Sequence, residues 1–410
     1  MSVVLHKEFC ELLESDVKSA IEFASDFAEK NGFNIYLIGG IVRDMIMANN
    51  IKDVDIAVEA DAIEFANKLC EFSDCELVAV QEKLRTSKVK FKSGIEIDFA
   101  STREEKYSES GILPIAYNFG CKLENDVKRR DFTINTLAMK LTGEDKYHLV
   151  DFYNGYDDIK NKKIKILHEK SFIDDPSRII RALKFQVRFD FDFDDNTKQL
   201  MQDYLSNVDE KMPLERIKSE LRQYFSISKE NIYQHLITNN AYKLISDNPV
   251  VEVDFSKISK LLEFGLYDES EFWFLMIACL IVNSDFAINR LNMTSFEKKI
   301  IDETRELLNE KKIKINDNER IYKLYNNKID LSIALFYLIT GEESVIKFLT
   351  ALKQIKVLIT GEDLIELGLI PSAFFAEIFD KVLKEKLKGK LKKKQDEIKF
   401  VQKLIKKQSR

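Results

Sequence analysis

The chain has 410 residues, 45% of them hydrophobic and 32% charged, which fits a soluble globular protein rich in helix with room for two to four domains. A formal net charge of −6 argues against the whole chain binding a polyanion. Over residues 381–410, however, Lys and Arg exceed Asp and Glu by about ten, which suits either local contact with a nucleic-acid backbone or a lysine-rich solvated helix.

Residues 1–30 carry apolar positions at helical spacing and meet a stop at Asn31-Gly32. An apolar strand is predicted over 34–38, then a Gly39-Gly40 turn and a helix start over 43–47. A second strand follows at 54–58 and a helix at 60–72. Runs at 77–80, 86–91 and 95–99 read as further strands, the last two forming a hairpin about Ser93-Gly94. The first third is therefore mixed α and β. From Asp131 onward apolar residues recur at three and four, broken by strand-like runs at 138–141 and 147–151, so the rear two thirds are predicted to be almost all helical. No low-complexity linker separates the parts.

Ile38-Gly39-Gly40-Ile41-Val42-Arg43-Asp44, followed by Asp53-Val54-Asp55, is the most informative stretch. Gly-Gly lets the backbone approach a phosphate closely, and the helix N-terminus behind it favours negative charge. Residues two apart on a strand share a face, so Asp53 and Asp55 converge while Val54 and Ile56 turn to a core. Two carboxylates beside a phosphate cradle suit Mg²⁺, which shares its coordination with substrate phosphates, and so suit metal-assisted nucleotidyl transfer. Alone, a Gly-Gly turn or a solvated strand end explains either half. The Walker pattern is absent, since no Gly-Lys-Ser/Thr follows the glycines.

Arg129-Arg130-Asp131-Phe132-Thr133-Ile134-Asn135 is a second cluster. Its arginines can neutralise a triphosphate. Asp131 and Asn135, four apart, would share a helix face and reach a ribose or phosphate, or Asp131 would simply sit near a helix N-cap. Asp98 is a third carboxylate, a base for a 3′-hydroxyl, or a solvent-facing strand residue. In Asp174-Asp175-Pro176-Ser177-Arg178, Asp175 and Arg178 can read a base edge: the carboxylate accepts from an exocyclic amine and the guanidinium donates to a ring nitrogen. Cytosine and adenine offer that pair, whereas uracil and guanine would leave buried groups unpaired. The competing readings are an Asp175 N-cap ahead of Pro176 and an Asp174–Arg178 surface bridge. In Pro213-Leu214-Glu215-Arg216-Ile217, Glu215 and Arg216 read as a helix brace.

Five cysteines without a Cys-x-x-Cys pair and four histidines without a His-x-x-x-His pair argue against disulfides and zinc, and suggest reduced thiols in a cytoplasmic protein. The N-terminus does not read as a signal peptide, and the apolar run at 272–282 is too short to span a bilayer.

In order, Gly39-Gly40-x-x-Arg43-Asp44, Asp53-x-Asp55, Arg129-Arg130-Asp131-Phe132-Thr133-Ile134-Asn135, Asp151-Phe152-Tyr153-x-Gly155-x-x-Asp158, Asp174-Asp175-x-x-Arg178 and Glu215-Arg216-x-x-x-Glu220-Leu221 resemble the motifs of the class II tRNA nucleotidyltransferase and bacterial poly(A) polymerase family, across residues 35–221. More weakly, Ile359-Thr360-Gly361-Glu362-Asp363-Leu364 is similar to the start of that family's C-terminal segment.

The resemblance implies an α+β fold: a nucleotidyltransferase head with a mixed sheet (1–140), then an all-helical neck (141–211), body (212–290) and tail (291–410). It implies Mg²⁺ in a two-metal site on Asp53 and Asp55. Gly39, Gly40 and Arg43 would hold triphosphate; Arg130, Asp131 and Asn135 the nucleotide; and Asp175 with Arg178 would select CTP and ATP. The partner would be tRNA, gripped at its 3′ end and, by the tail, at its elbow. The pattern departs from the family in having Asp174 where Glu is usual, one methylene shorter, and in lacking glycines after Pro371. The segment between Asp98 and Arg129 is full length, which argues against an enzyme adding only C. Addition of complete CCA, of A alone, or of poly(A) all remain compatible with these residues, as does a non-catalytic RNA-binding scaffold. Oligomeric state is not legible.

Overall fold

The computed structural model describes residues 3–51, 53–72, 74–108, 112–209, 214–227, 231–250, 252–254, 256–310 and 315–408. Pro213 of the motifs above lies outside them. The chain forms two compact units, one of residues 1–227 with 239–244 and the other of 228–238 with 245–410.

The first unit opens with two helices where a single one was predicted: α1 (His6–Leu12) and α2 (Ser15–Asn31), separated by an extended Leu13. Gly32 ends α2 as expected, its amide donating to Ala28 and Glu29. Then come β1 (Ile35–Ile38), α3 (Gly40–Ile46), β2 (Asp55–Val58), α4 (Ala62–Glu71), β3 (Cys75–Gln81), β4 (Thr86–Phe91) and β5 (Glu96–Ser101). A hairpin of β6 (Glu104–Lys106) and β7 (Ile115–Tyr117), not anticipated from the sequence, follows. After α5 (Leu123–Asp126), β8 (Ala138–Lys140) and β9 (Leu149–Val150) complete a seven-stranded mixed sheet of order β3-β4-β5-β2-β1-β8-β9.

Alternation along these strands builds two faces. Ile56, Val58, Ile97 and Phe99 are buried toward the α4 side, where Phe65 meets Phe99 with ring centroids 5.2 Å apart. Asp61 caps α4 by accepting from the amides of Ile63 and Glu64. On the opposite face Tyr36, Ile38, Ala57 and Ala138 pack against Leu123 and Val127. Asp55, whose strand neighbours are Ala57 and Asp98, belongs to this second face.

The helical part begins later than the periodicity suggests. Residues 133–135 form a single 3₁₀ turn, not an α-helix, because Phe132 bridges Ile166 in an extended conformation. After α6 (Gly155–Lys160) and α7 (Ser171–Asp174), the long helices α8 (Ser177–Phe189), α9 (Asp195–Ser206) and α10 (Glu215–Phe225) close the unit, with α8 packed on α10.

Most of the second unit's described residues are helical, as expected. Its C-terminal portion has a core of Ile359, Leu364, Ile378, Val382 and Val401. There a buried Glu397 accepts from the amides of Leu358 and Ile359 and pairs with Lys386. No helix among the described residues is long and apolar enough to cross a membrane.

Candidate active site

One cavity of about 810 Å³ in the first unit gathers Gly39, Gly40, Arg43, Asp53, Asp55, Arg130, Asp131, Asn135, Asp175 and Arg178 from four separated stretches of sequence. Asp98, Asp174 and Glu215, also singled out from the sequence, are not on its wall. A smaller pocket of about 220 Å³ is lined by Gly40 and Asp55 together with Asp126, Arg129 and Arg130.

The Gly39-Gly40 turn joins β1 to α3. Gly39 has φ +76°, and a Cβ there would lie 2.9 Å from the Arg130 guanidinium, so only glycine fits without strain. Arg43, one turn into α3, is buried. Its guanidinium makes a two-point contact with Asp44 and donates to Asn135 Oδ1 at 2.6 Å, while stacking 4.6 Å from the Phe189 ring centre. Arg43 thus ties α3 to α8 and to the 133–135 turn.

Asp53 precedes β2 instead of lying in it, and Asp55 is the first residue of the strand. In the parallel β2–β5 ladder Asp55 stands beside Asp98. Asp55 is solvent-accessible at the start of its strand, yet the protein packed around its carboxyl, then the charges of Asp98 and Asp53, push it above its usual range, against the pull of Arg130 and Lys88. Crowded hard carboxylate oxygens that resist ionising together suit a divalent cation. Among the described residues no group of three or more His, Cys, Asp or Glu is placed to hold a metal ion by itself. The chemistry of the Asp53/Asp55 pair suits Mg²⁺, which takes one or two carboxylates and leaves positions for phosphate oxygens. Asp98 itself is paired with Lys88 at 3.0 Å.

Asp126, which the sequence reading passed over, is buried and holds both arginines of the second cluster, with Arg129 at 2.9 Å and Arg130 at 3.2 Å. Burial alone would raise its carboxyl; Arg130 and Arg129 override that and lower it. Asp131 and Asn135 do meet, at 2.8 Å, through the 3₁₀ turn and not along a helix face. Asp131 also receives Arg181 from α8 at 2.5 Å. Burial would raise this carboxyl too, but Arg181 and the Asn135 hydrogen bond hold it at about 2.

The two readings of Asp175 coexist. Oδ1 accepts from the amide and hydroxyl of Ser177, as an N-terminal cap does, and Oδ2 faces Arg216 at 2.5 Å and Arg178 at 3.9 Å. Arg178 donates to Ser171 Oγ, the Arg129 carbonyl and Tyr107 Oη, which fixes the guanidinium beside Asp175. Asp174 lies 4.0 Å from His168. Arg216 is more than a brace, since it lines the same cavity. Arg181, Lys184 and Arg188 line it as well. With Arg178 they recur at three, three and four along α8, a cationic stripe that was readable as such in the sequence. Nine cationic side chains face five carboxylates across the cavity, which makes it attractive to a polyanion.

A model of the poly(A) polymerase head domain matches residues 35–165. The A-adding tRNA nucleotidyltransferase of Halalkalibacterium halodurans is 29% identical over 95% of this chain and 92% of its own length. The CCA-adding enzyme of Staphylococcus epidermidis is 30% identical over 76% of this chain and 75% of its own. Against the A-adding tRNA nucleotidyltransferase of Geobacter sulfurreducens, 29% identical over 90% of this chain, the chain spans only 45% of the relative's length. Among solved structures, an apo CCA-adding enzyme superposes with a TM-score of 0.79 at 25% identity, covering 98% of this chain and 99% of that one. A complex of a CCA-adding enzyme with ATP gives a TM-score of 0.78 at 25% identity, covering 97% and 96%.

Proposed function

This chain belongs to the class II tRNA nucleotidyltransferase and poly(A) polymerase head family, and we propose that it builds C-C-A on the 3′ end of tRNA from CTP and ATP. The observation that carries this reading is the presence in one cavity of the Asp53/Asp55 pair, a ring of arginines and the Asp175–Arg178 couple. Such a cavity can hold a nucleoside triphosphate by its charge and read its base by its hydrogen bonds. Solved complexes of a CCA-adding enzyme with ATP and with CTP, and of the Thermotoga maritima CCA-adding enzyme with tRNA, support the choice of substrates.

In this reading Asp53 and Asp55 would hold two Mg²⁺ ions, which would supply neutralisation of phosphate charge and a more acidic attacking hydroxyl. The tRNA 3′-hydroxyl attacks the α-phosphate, and pyrophosphate leaves. Gly39 and Gly40 let the backbone approach the phosphates, Arg130 offers charge to them, and Asp131 with Asn135 orients the ribose. Arg43, already committed to Asp44 and Asn135, shapes the triphosphate site by holding the 133–135 turn in place. Asp175 accepts from the exocyclic amine of C or A, and Arg178 donates to the adjacent ring nitrogen. Asp98 beside Asp55 is the third carboxylate. Residues 1–140 act as head, 141–211 as neck, 212–290 as body, and 291–410 as the tail that grips the tRNA elbow.

A second reading, addition of the terminal A alone, is favoured by the Halalkalibacterium halodurans relative, an A-adding enzyme matched over nearly its whole length. Extension of tRNA transcripts decides between them. Transcripts lacking the last three nucleotides should gain C-C with CTP and a single A once ATP is added. Growth only on transcripts already ending in C-C would establish the A-adding reading, and long A tracts a poly(A) polymerase. Bound tRNA with no extension would leave an RNA-binding scaffold without catalysis.

A further inference from the structure

Three charged side chains stand in one row across the sheet. Lys88 of β4 is the direct antiparallel partner of Asp98 on β5, and Asp98 is the parallel partner of Asp55 on β2. Directly paired positions share a face, so all three project from the face that carries the Asp53/Asp55 pair. Lys88 Nζ lies 3.0 Å from Asp98 Oδ2, and its next carboxylate, Glu96, is farther at 3.7 Å. The ammonium is also close enough to Asp53 and Asp55 to act on both electrostatically.

We propose that Lys88 is a resident counter-cation of this carboxylate row beside Arg130, which shares a pocket with Asp55, and a positioning residue that holds Asp98 beside Asp55 and weakens divalent-metal binding at Asp53 and Asp55. The inference rests on the metal role proposed above for those two residues. The argument is one of charge. Asp53, Asp55 and Asp98 together carry three negative charges, and Lys88 cancels one of them. A dication near Asp55 gains from the carboxylates and is repelled by Lys88, and the repulsion acts on both of its charges. Lys88 and Asp98 are partly exposed, with side-chain accessibilities of 37% and 45%, so solvent screens the effect to a moderate one. The fixed ammonium keeps the metal exchangeable, as a site that must release pyrophosphate with its ions requires. It also pins Asp98 by one oxygen.

The alternative is an ordinary cross-strand pair that braces the sheet. Mn²⁺ binding to the intact, nucleotide-free protein, followed by the loss of the free-ion EPR signal, separates the two. Lys88→Met should tighten Mn²⁺ binding about three- to thirtyfold, the range expected for one partly screened charge. Lys88→Arg, which keeps the charge, should restore the parent affinity. A Lys88→Met protein with lowered thermal stability and unchanged Mn²⁺ affinity would leave only the brace and overturn the proposal. Mn²⁺ binding that survives Asp53→Asn and Asp55→Asn alike would instead remove the metal reading, and this proposal with it. Binding that these variants abolish but that ignores the charge at position 88 would defeat the Lys88 role alone.

Discussion

Arg216 Nη2 lies 2.5 Å from Oδ2 of Asp175, the oxygen left open by Ser177, whose amide and hydroxyl both bond Oδ1. Both oxygens of this carboxylate are therefore engaged in the free protein. If Asp175 reads the base as proposed, a base amine must share Oδ2 with Arg216, and α10 becomes part of the recognition surface.

Arg216→Ala follows directly. Asp175 is buried and would lose its nearest cationic partner, leaving Oδ2 unheld and free to swing away. That movement ends its ability to accept from an amine in the right place. Because the Arg216 side chain is 40% exposed, the stability cost should be only about 1–2 kcal/mol, between that of a surface pair and a buried one. The functional cost should be larger: roughly tenfold loss of C and A selection over U and G, as expected when one hydrogen bond of a base-reading pair is lost. Competition among the four nucleoside triphosphates on a tRNA acceptor measures this. A misincorporation ratio equal to the parent's would show that Arg216 is only a brace.

How far the site could be read from the sequence depends on the reach of each interaction. The Gly39-Gly40 turn and the Asp53/Asp55 pair are local devices, and the structure puts them in one cavity as expected. The strand at Thr86–Phe91 has the predicted bounds because its alternation is unbroken. Asp126 and Arg181 were passed over for different reasons, and Arg216 was read only as a helix brace. Asp126 sits only three and four residues before the arginines it holds, a spacing that could have identified it. Arg181 finds Asp131 50 residues away, a pairing that no local pattern announces. The 131–135 segment was expected to be helical from its spacing, but the Phe132 bridge to Ile166 overrides that local tendency.

Asp55→Asn should abolish transfer, as should Asp53→Ala, while tRNA binding stays nearly intact. In metal-free buffer Asp55→Asn should also make the protein more stable. Asp55 has a folded carboxyl raised above its unfolded value, so its contribution to stability is fully present below the unfolded value and is lost as pH rises through the folded one. At neutral pH the ionised group is a liability that asparagine removes. Thermal denaturation across pH should show the variant melting higher near pH 7, the gap closing below about pH 4. A variant less stable than the parent at pH 7 would contradict the crowding of Asp55, Asp98 and Asp53.

Asp131 titrates in the opposite sense. Held at about 2 in the folded state, its carboxylate stabilises the fold above its unfolded value, and that stability is lost as pH falls through about 2. Arg181→Ala removes the main favourable charge while Asp131 stays buried. The expected cost near neutral pH is about 2–4 kcal/mol, in the range for breaking a buried pair. The acid-unfolding midpoint should move to higher pH, and circular dichroism during acid titration would show it. An unmoved midpoint would mean that Asn135 and the Phe132 amide, which donate to the other Asp131 oxygen at 2.8 Å each, suffice to hold it.

Gly155, at the start of α6, packs tightly against the 133–135 turn. A Cβ there would lie 2.3 Å from the Thr133 carbonyl oxygen and 2.8 Å from its carbon. Those are backbone atoms that cannot rotate away, so the 133–135 turn would have to shift. Asn135 sits on that turn and receives Arg43 and bonds Asp131, which ties a shift there to both halves of the nucleotide site. Gly155→Ala should cost about 1–3 kcal/mol from overpacking and weaken ATP and CTP binding several-fold, although residue 155 does not line the cavity. Calorimetric titration with a non-hydrolysable nucleotide, run beside a melting curve, tests both effects. A destabilised variant with parental nucleotide affinity would show that the turn can move without disturbing Asp131 and Asn135.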